Sequence, residues 1–332
     1  RFGLDSEDFI RFAYSKAMSR PDIGLLSNYV QITTPSLDTA PDSPYVVYRS
    51  PAAAHIPANV VGYDFVFMTN AGNTQLRPET ADQLDLSFER YFSAAGAVTL
   101  DLFYKKLRDA LGDSRFTRSF TNDGSTQAVE ITGPVNVHDG GRLDGAELDF
   151  ETYFRFLPGL LRGLGMQATY TYVEQSGINN TGLVDNPNPL VGGQGSYGAG
   201  VSTAGGVVID SHALAGVSRH SFNLVGLYEH GPLGVRLAYN WRSRYLTDNL
   251  DCCIGLPVFQ KAAGYLDGSL RYSIGRHVAL TLDVANILDT TTVYQQQIFG
   301  DSAATPGAKP VYMDSAWSRA GRRYQFGVRA KF

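Results

Sequence analysis

Residues 323–332 read RYQFGVRAKF, and this stretch decides the fold. Apolar and aromatic side chains occupy every second position, and polar side chains occupy the positions between them. One face carries Tyr324, Phe326, Val328, Ala330 and Phe332, and the other carries Arg323, Gln325, Gly327, Arg329 and Lys331. Because successive side chains of a β-strand point to opposite faces, the stretch is predicted to be a strand with one apolar and one charged face.

Nine further segments repeat this alternation, which predicts about ten strands. They lie around residues 10–15, 83–89, 98–105, 146–154, 166–172, 221–229, 235–242, 266–272 and 278–285. Their polar faces are rich in full charges, which a polar barrel lumen tolerates. The charged residues expected to face the lumen are Asp85, Glu89, Asp101, Glu147, Asp149, Glu151, Arg236, Arg242, Arg271, Asp283, Arg323 and Arg329.

A soluble antiparallel sheet also alternates apolar and polar side chains. The length of these segments and the positions of their aromatic residues favour a transmembrane barrel instead. Strands of soluble proteins usually have about 5–6 residues, whereas several segments here have about ten. Aromatic residues also lie near the ends of the apolar faces, as in the girdles at membrane interfaces. No apolar run approaches the roughly 20 residues of a spanning helix. The net charge of −4 gives no support to nucleic-acid binding, which needs a basic face.

The connectors between the predicted strands alternate in length. Those at residues 92–96, 229–234 and 273–277 are short, and the one at 156–165 is moderate. Those at 19–73, 109–140, 176–218, 246–258 and 288–320 are longer. Outer-membrane barrels have short periplasmic turns and long extracellular loops. We therefore expect an all-β, antiparallel, up-and-down transmembrane β-barrel portion, with its final strand descending to the periplasmic side.

Four motifs resemble those of TonB-dependent receptors, in the order of that family. Residues 12–21 (FAYSKAMSRP) look like a family strand that ends in an Arg-Pro step, and residues 72–80 (GNTQLRPET) resemble the family's GN-x-x-L-x-PE stretch. Residues 283–289 (DVANILD) are similar to its N-L-x-D step, with Ile287 where Leu is usual. Residues 321–332 resemble its last strand, in which Tyr324, Phe326, Val328 and Phe332 form the barrel-assembly signature.

The resemblance implies energy-coupled import of a scarce solute, such as an iron chelate or an oligosaccharide, across the outer membrane of a Gram-negative bacterium. It also implies that residues 1–332 are the C-terminal part of a barrel of about 22 strands, without the N-terminal plug, the TonB-contacting segment or the first strands. The chain opens with Arg1 and no signal peptide, which we interpret as a fragment or a processed product. The alternatives are a structural barrel, a degenerate receptor fragment and a passive porin.

No catalytic constellation is found, so we expect no enzyme and no cofactor. The six histidines lack ligand-like spacing, which argues against a metal site. Residues 192–198 are glycine-rich without the Lys-Ser/Thr of a phosphate loop and are expected to be a flexible loop. The carboxylates of residues 147–151 either bind Ca²⁺ or, as we favour, line the lumen.

Loop aromatics are the expected ligand contacts, with loop self-packing or the interfacial aromatic belt as the alternative. They are Tyr45, Tyr48, Tyr63, Tyr197, Tyr294 and Trp317. The adjacent Cys252 and Cys253 lie in a predicted extracellular loop, where they form either a strained bridge or two thiols.

Overall fold

The computed structural model describes residues 8–28, 31–32, 46–48, 60–63, 67–69, 72–93, 96–122, 124–178, 209–248, 256–302 and 305–330. The strands are β1 Asp8–Ser19, β2 Gln31–Ile32, β3 Val46–Tyr48, β4 Val60–Tyr63, β5 Phe67–Thr69, β6 Glu79–Ser93, β7 Gly96–Asn122, β8 Ser125–Tyr153, β9 Leu164–Ser176, β10 His220–His230, β11 Leu233–Arg242, β12 Tyr245–Asp248, β13 Val258–Gln260, β14 Ala263–Ile274, β15 Val278–Ala285, β16 Thr291–Phe299, β17 Val311–Arg319 and β18 Arg323–Ala330. A single 3-10 turn, Gly159–Gly163, precedes β9 within these ranges. None of the described helical structure is long and apolar enough to span a membrane.

One large sheet follows the chain as a meander. Its strand order is β1-β6-β7-β8-β9-β10-β11-β14-β15-β18, and every neighbouring pair in this order is antiparallel. The predicted up-and-down fold and the predicted strand positions are therefore confirmed. The short strands β2 and β5 attach outside this order, and β5 pairs with β8 in parallel over two residues.

The alternation of long and short connectors is also confirmed. β10 and β11 are joined by two residues, and β14 and β15 by three, whereas long segments separate β1 from β6 and β9 from β10. The β7–β8 hairpin runs further than predicted, because pairing continues to Asn122 and Ser125. Residues 109–140 were expected to form a loop. They are mostly paired as a continuation of β7 and β8, which makes this hairpin longer than the other hairpins of the large sheet.

The register separates the two faces of the large sheet. Cross-strand partners share a face, and the pairings place all twelve predicted lumen-facing charged residues on one face, the charged face. For example, Asp101 lies opposite Glu147, and Asp283 lies opposite Gln325. The other, apolar face exposes large side chains, with Phe12 at 71% and Leu237 at 48% exposure. A soluble sheet would cover such a face, so its exposure favours lipid as the solvent.

The two edges of the large sheet are unpaired within the described residues. β1 pairs only with β6, and β18 pairs only with β15. The sheet is therefore open, as expected for part of a larger barrel.

A second sheet was missed from the sequence. Strands β12, β13, β16 and β17 form a four-stranded antiparallel sheet within the segments that were predicted to be the loops 246–258 and 288–320. We refer to it as the extracellular sheet, because it continues β11, β14, β15 and β18 at their long-connector ends. It holds the most completely buried side chains of the described residues, Leu246 and Pro257.

Candidate functional site at the extracellular end

Charge is segregated along the charged face. β6, β7 and β8 carry the carboxylates Asp85, Glu89, Asp101, Glu147, Asp149 and Glu151, with Arg11 and Lys105 as nearby cations. β11, β14 and β18 carry Arg236, Arg242, Arg271, Arg323 and Arg329, with Asp267 and Asp283 on the same side. The face is therefore acidic on one side and basic on the other, and such a surface orients charged or dipolar groups that approach it.

The acidic side is organised as a polar wall. Arg11 forms an ion pair of 2.9 Å with Glu89, and the Thr169 hydroxyl donates to Asp149 at 2.6 Å. No group of three or more His, Cys, Asp or Glu side chains in the described part of the chain is arranged to hold a metal ion. The choice between a lumen wall and a calcium site for this carboxylate row stays a prediction.

The Asn-Ile-Leu-Asp step joins the large sheet to the extracellular sheet. Asn286 has a left-handed backbone with φ of 54°, and its side chain donates to Gly321 O and accepts from Thr290 N. Its own N–H donates to Asp267, and Asp289 forms an ion pair with Arg319. These bonds satisfy backbone groups that the break between β15 and β16 would otherwise leave unpaired.

The Gly-Asn-x-x-Leu-x-Pro-Glu stretch anchors the connector before β6. A Cβ on Gly72 would lie 2.0 Å from Ser27 O, so only glycine fits there. Asn73 donates to Pro134 O at 3.0 Å, and Glu79 accepts from Leu111 N at 2.7 Å. The stretch therefore ties the long β7–β8 hairpin to the first connector.

Residues 209–219 cross the extracellular end of the charged face. Leu214 N donates to the Gln175 side chain at 2.8 Å, and Arg242 donates to Gly216 O at 2.6 Å and to Ser218 Oγ at 2.8 Å. The guanidinium of Arg242 also lies 3.6 Å from the centre of the Tyr245 ring. Arg242 was predicted to be a lumen charge, and in the structure it additionally holds this crossing segment.

A cationic and aromatic cluster lies beside this segment on the extracellular sheet. Arg244 stacks on Tyr312 at 4.1 Å and on Phe259 at 4.9 Å, and it donates to the Tyr312 hydroxyl at 3.2 Å. The sequence analysis missed Arg244, because its ring partners come from β13 and β17. The cluster presents the exposed guanidinium of Arg244 and the half-buried ring of Tyr312, whereas Phe259 is buried. A planar cation and an aromatic ring are suited to contact a polar aromatic or anionic ligand.

A histidine clasp joins residues 209–212 to the turn after β16. His212 Nε2 lies 2.9 Å from Asp301 Oδ2, and Nδ1 lies 3.3 Å from Asp210 Oδ1. Burial alone would lower the pKa of His212, but the hydrogen bond to Asp301 and the charge of Asp210 outweigh it and raise this pKa. The Gly307 N–H and His212 lower the pKa of Asp301. His212 and Asp301 are 89 residues apart, so no local sequence pattern predicts their pairing.

Of the six predicted ligand aromatics, the structure describes the side chains of two, Tyr294 and Trp317, and it does not bring these two together. Tyr294 lies opposite Ala316, and Trp317 lies opposite Val293, so the two side chains point to opposite faces of the β16–β17 hairpin. Tyr48 and Tyr63 lie on the β3–β4 hairpin, whose side chains are not described. Tyr45, Tyr197, Cys252, Cys253 and Phe332 lie outside the described residues.

Comparison with known proteins identifies the fold. The solved siderophore receptor PirA from Acinetobacter baumannii superposes with a TM-score of 0.55 at 15% identity, covering 99% of this chain and 40% of that one. A variant of the ferric enterobactin receptor PfeA from Pseudomonas aeruginosa, solved in complex with enterobactin, gives a TM-score of 0.59 at 14% identity, covering 99% of this chain and 39% of that one. The chain thus spans about two fifths of the length of these solved receptors. No curated protein sequence matches it.

The family is shown by the sequence model. The TonB dependent receptor-like, beta-barrel model matches residues 4–287, which is most of the chain. The match covers the first two of the four motifs named above and residues 283–287 of the third. The structure gives the Gly-Asn and Asn-Ile-Leu-Asp stretches a physical role at the extracellular end. The chain therefore belongs to the β-barrel domain family of TonB-dependent receptors.

Proposed function

We propose that this chain forms part of the barrel of an outer-membrane receptor of a Gram-negative bacterium that imports a scarce solute with energy supplied through TonB. In this proposal, the TonB-contacting segment and the plug lie N-terminal to this barrel portion. The solute class that we favour is an iron–siderophore complex, and an oligosaccharide is the second candidate.

The observation that carries the proposal is the division of the large sheet into two faces. One face exposes apolar side chains such as Phe326, at 79% exposure, and the other is lined by charged residues. A barrel wall with a lipid-facing exterior and a polar lumen has this division. The family match then selects a receptor among the barrel proteins.

The favoured solute class has weaker, independent support. The two solved receptors named above are described as siderophore receptors, one of them bound to enterobactin. On this chain, Arg244 and Tyr312 offer a cation and a half-buried aromatic ring at the extracellular end, which suits an anionic aromatic chelate. A neutral oligosaccharide would use the aromatic ring but gain little from the guanidinium.

A barrel without import activity is the competing function. It is favoured if the natural gene encodes no plug or TonB-contacting segment in frame with this chain. Sequencing the gene upstream of the codon for Arg1 decides between the two at once.

Uptake by cells tests the proposal directly. Deletion of the complete natural gene should abolish growth on one ferric siderophore of a panel under iron limitation, and loss of TonB should reproduce the defect. If the deletion strain grows poorly only on oligosaccharides, the imported solute is an oligosaccharide and not a siderophore complex. A deletion strain that grows like wild type on every siderophore and oligosaccharide tested would contradict import.

A further inference from the structure

The extracellular border of the apolar face is marked by tyrosines. On β1 the apolar face runs Ile10, Phe12 and Tyr14 and then reaches Lys16, and on β7 Tyr104 is followed by Lys106 on the same face. Tyrosine is enriched where a barrel leaves the hydrocarbon layer. The residues that follow these tyrosines therefore lie at the level of the lipid headgroups.

At this level, four neighbouring strands form one basic row. The register pairs Lys16 with Asp82, Asp82 with Lys106, and Lys106 with Arg142. Directly opposite residues on adjacent strands have Cβ atoms about 5 Å apart, so the row spans only about 15 Å. Lys16, Lys106 and Arg142 are all exposed.

The carboxylates nearby do not neutralise this row. Asp82 is engaged by Arg108 at 2.8 Å and by the Tyr14 hydroxyl at 3.1 Å, and Asp144 lies 3.5 Å from Arg142. Within the described residues, Lys16 and Lys106 form no ion pair. The row and its surroundings, with Arg108 counted, therefore carry four cations against two carboxylates.

The grouping of three cations belongs to β1–β8, whereas further along the border Arg219 is paired with Glu174 and Arg322 donates to Ile287 O. On β10 and β11 the apolar face ends instead in Phe222 and Trp241, whose rings stack at 5.4 Å. The grouping of three cations on β1, β7 and β8 therefore favours an anionic partner at this part of the border.

We propose that Lys16, Lys106 and Arg142 bind the phosphate group of a membrane lipid in the outer leaflet. The occupant is a lipid because the row continues the lipid-facing surface, and it is anionic because the row has uncompensated positive charge. Basic residues beside a membrane attract anionic headgroups, each contributing a favourable increment. Asp82 and Tyr14 hold Arg108 next to the row, which fixes a fourth cation at its border. The inference requires that the apolar face contacts lipid, but it does not depend on solute import.

Lipid retention tests this proposal without any transport assay. The receptor, produced from its natural gene and purified in detergent, is incubated with bis-phosphorylated hexa-acyl lipid A or with the same lipid after phosphate removal, and bound lipid is measured by native mass spectrometry. The wild type should retain the phosphorylated lipid and not the dephosphorylated one. Equal retention of the two lipids would overturn the proposal, whatever any variant does.

A triple variant and a matched control locate the site. Combining Lys16→Gln, Lys106→Gln and Arg142→Gln should weaken binding about a hundredfold, because three cations are removed. Lys105→Gln removes a lysine from the adjacent position on the charged face and should leave binding unchanged. Unchanged binding by a triple variant that still migrates as a folded barrel would refute the site. Release of the lipid by inorganic phosphate would identify free phosphate as the ligand instead.

Discussion

The large sheet and strands β12 and β13 of the extracellular sheet differ in which side chains they bury. In the large sheet the apolar positions are the exposed ones, as at Phe12 and Phe326. On β12 and β13 of the extracellular sheet the apolar side chains are buried, with Leu246 at 1% and Phe259 at 5% exposure, whereas Met313 and Trp317 on β17 are exposed. The difference follows from the solvent, because hydrocarbon accepts apolar side chains and water does not. The period of two predicts a strand, and only the surroundings decide which face is covered.

The largest effect is expected from a cavity in the extracellular sheet. Leu246→Ala should lower the free energy of unfolding of the extracellular sheet by about 2–5 kcal/mol, because the Leu246 side chain is fully enclosed. Leu280→Ala is the control, since Leu280 is 41% exposed on the apolar face and lipid can fill the space. Hydrogen exchange of β12 and β13 measures the loss. Equal effects of the two substitutions would contradict the contrast between the sheets.

A charge on the apolar face should have a slightly smaller effect. Leu280→Arg and Leu237→Arg should each destabilise the barrel by roughly 2–4 kcal/mol if they lie near the bilayer midplane. Asp283→Asn, on the charged face of β15, should cost much less. Refolding titrations of the complete receptor into lipid vesicles measure these differences, and similar losses from both faces would refute the assignment of the faces.

The junction between the sheets is the next position to test. Asn286→Ala should cost roughly 1–3 kcal/mol, because it leaves Gly321 O and Thr290 N without their partner. The substitution also leaves alanine at a φ of 54°, a left-handed conformation that asparagine tolerates better than alanine does. Asn286→Gly removes the same bonds without the backbone strain and should be about 1 kcal/mol less damaging. Thermal unfolding of both variants separates the two contributions, and a glycine variant as stable as wild type would show that the bonds contribute nothing.

The smallest effect is a pH dependence confined to the histidine clasp. Because the pKa of His212 is raised in the folded protein, its protonation stabilises the clasp. That stabilisation is fully present below the unfolded pKa of about 6.5 and is lost as pH rises through the raised folded pKa. Hydrogen exchange of residues 209–219, corrected for the intrinsic pH effect, should therefore show protection falling at higher pH. The variant His212→Gln should lack this dependence, and an unchanged profile would refute the clasp.

The sequence predicts the ten strands of the large sheet because each is long enough for its alternation to stand out. The same alternation also predicted the charged face and the twelve charged residues that lie on it. Strands β12 and β13 have only four and three residues, which is too short for a periodic signal. They form because the extracellular sheet buries Leu246 and Phe259, a tertiary effect that no local pattern contains.

The candidate site was predicted less well than the fold. Loop aromatics were predicted by residue type alone, and Tyr294 and Trp317 were grouped together although their register puts them on opposite faces. The contacts of Arg244 and His212, whose partners lie on distant strands and turns, were not predicted. Contacts between residues far apart in sequence are set by the topology, so a single sequence carries little information about them.

Accessibility along β15 tests the central claim most directly. Single substitutions Leu280→Cys, Thr281→Cys, Leu282→Cys and Asp283→Cys, made in a Cys252→Ser, Cys253→Ser background, are labelled with a fluorophore in membranes containing brominated lipid. If one face contacts lipid and the other lines a polar lumen, positions 280 and 282 should be quenched by the bromine, and positions 281 and 283 should instead be quenched by a water-soluble agent. Equal quenching at all four positions, or the reverse pattern, would contradict the account.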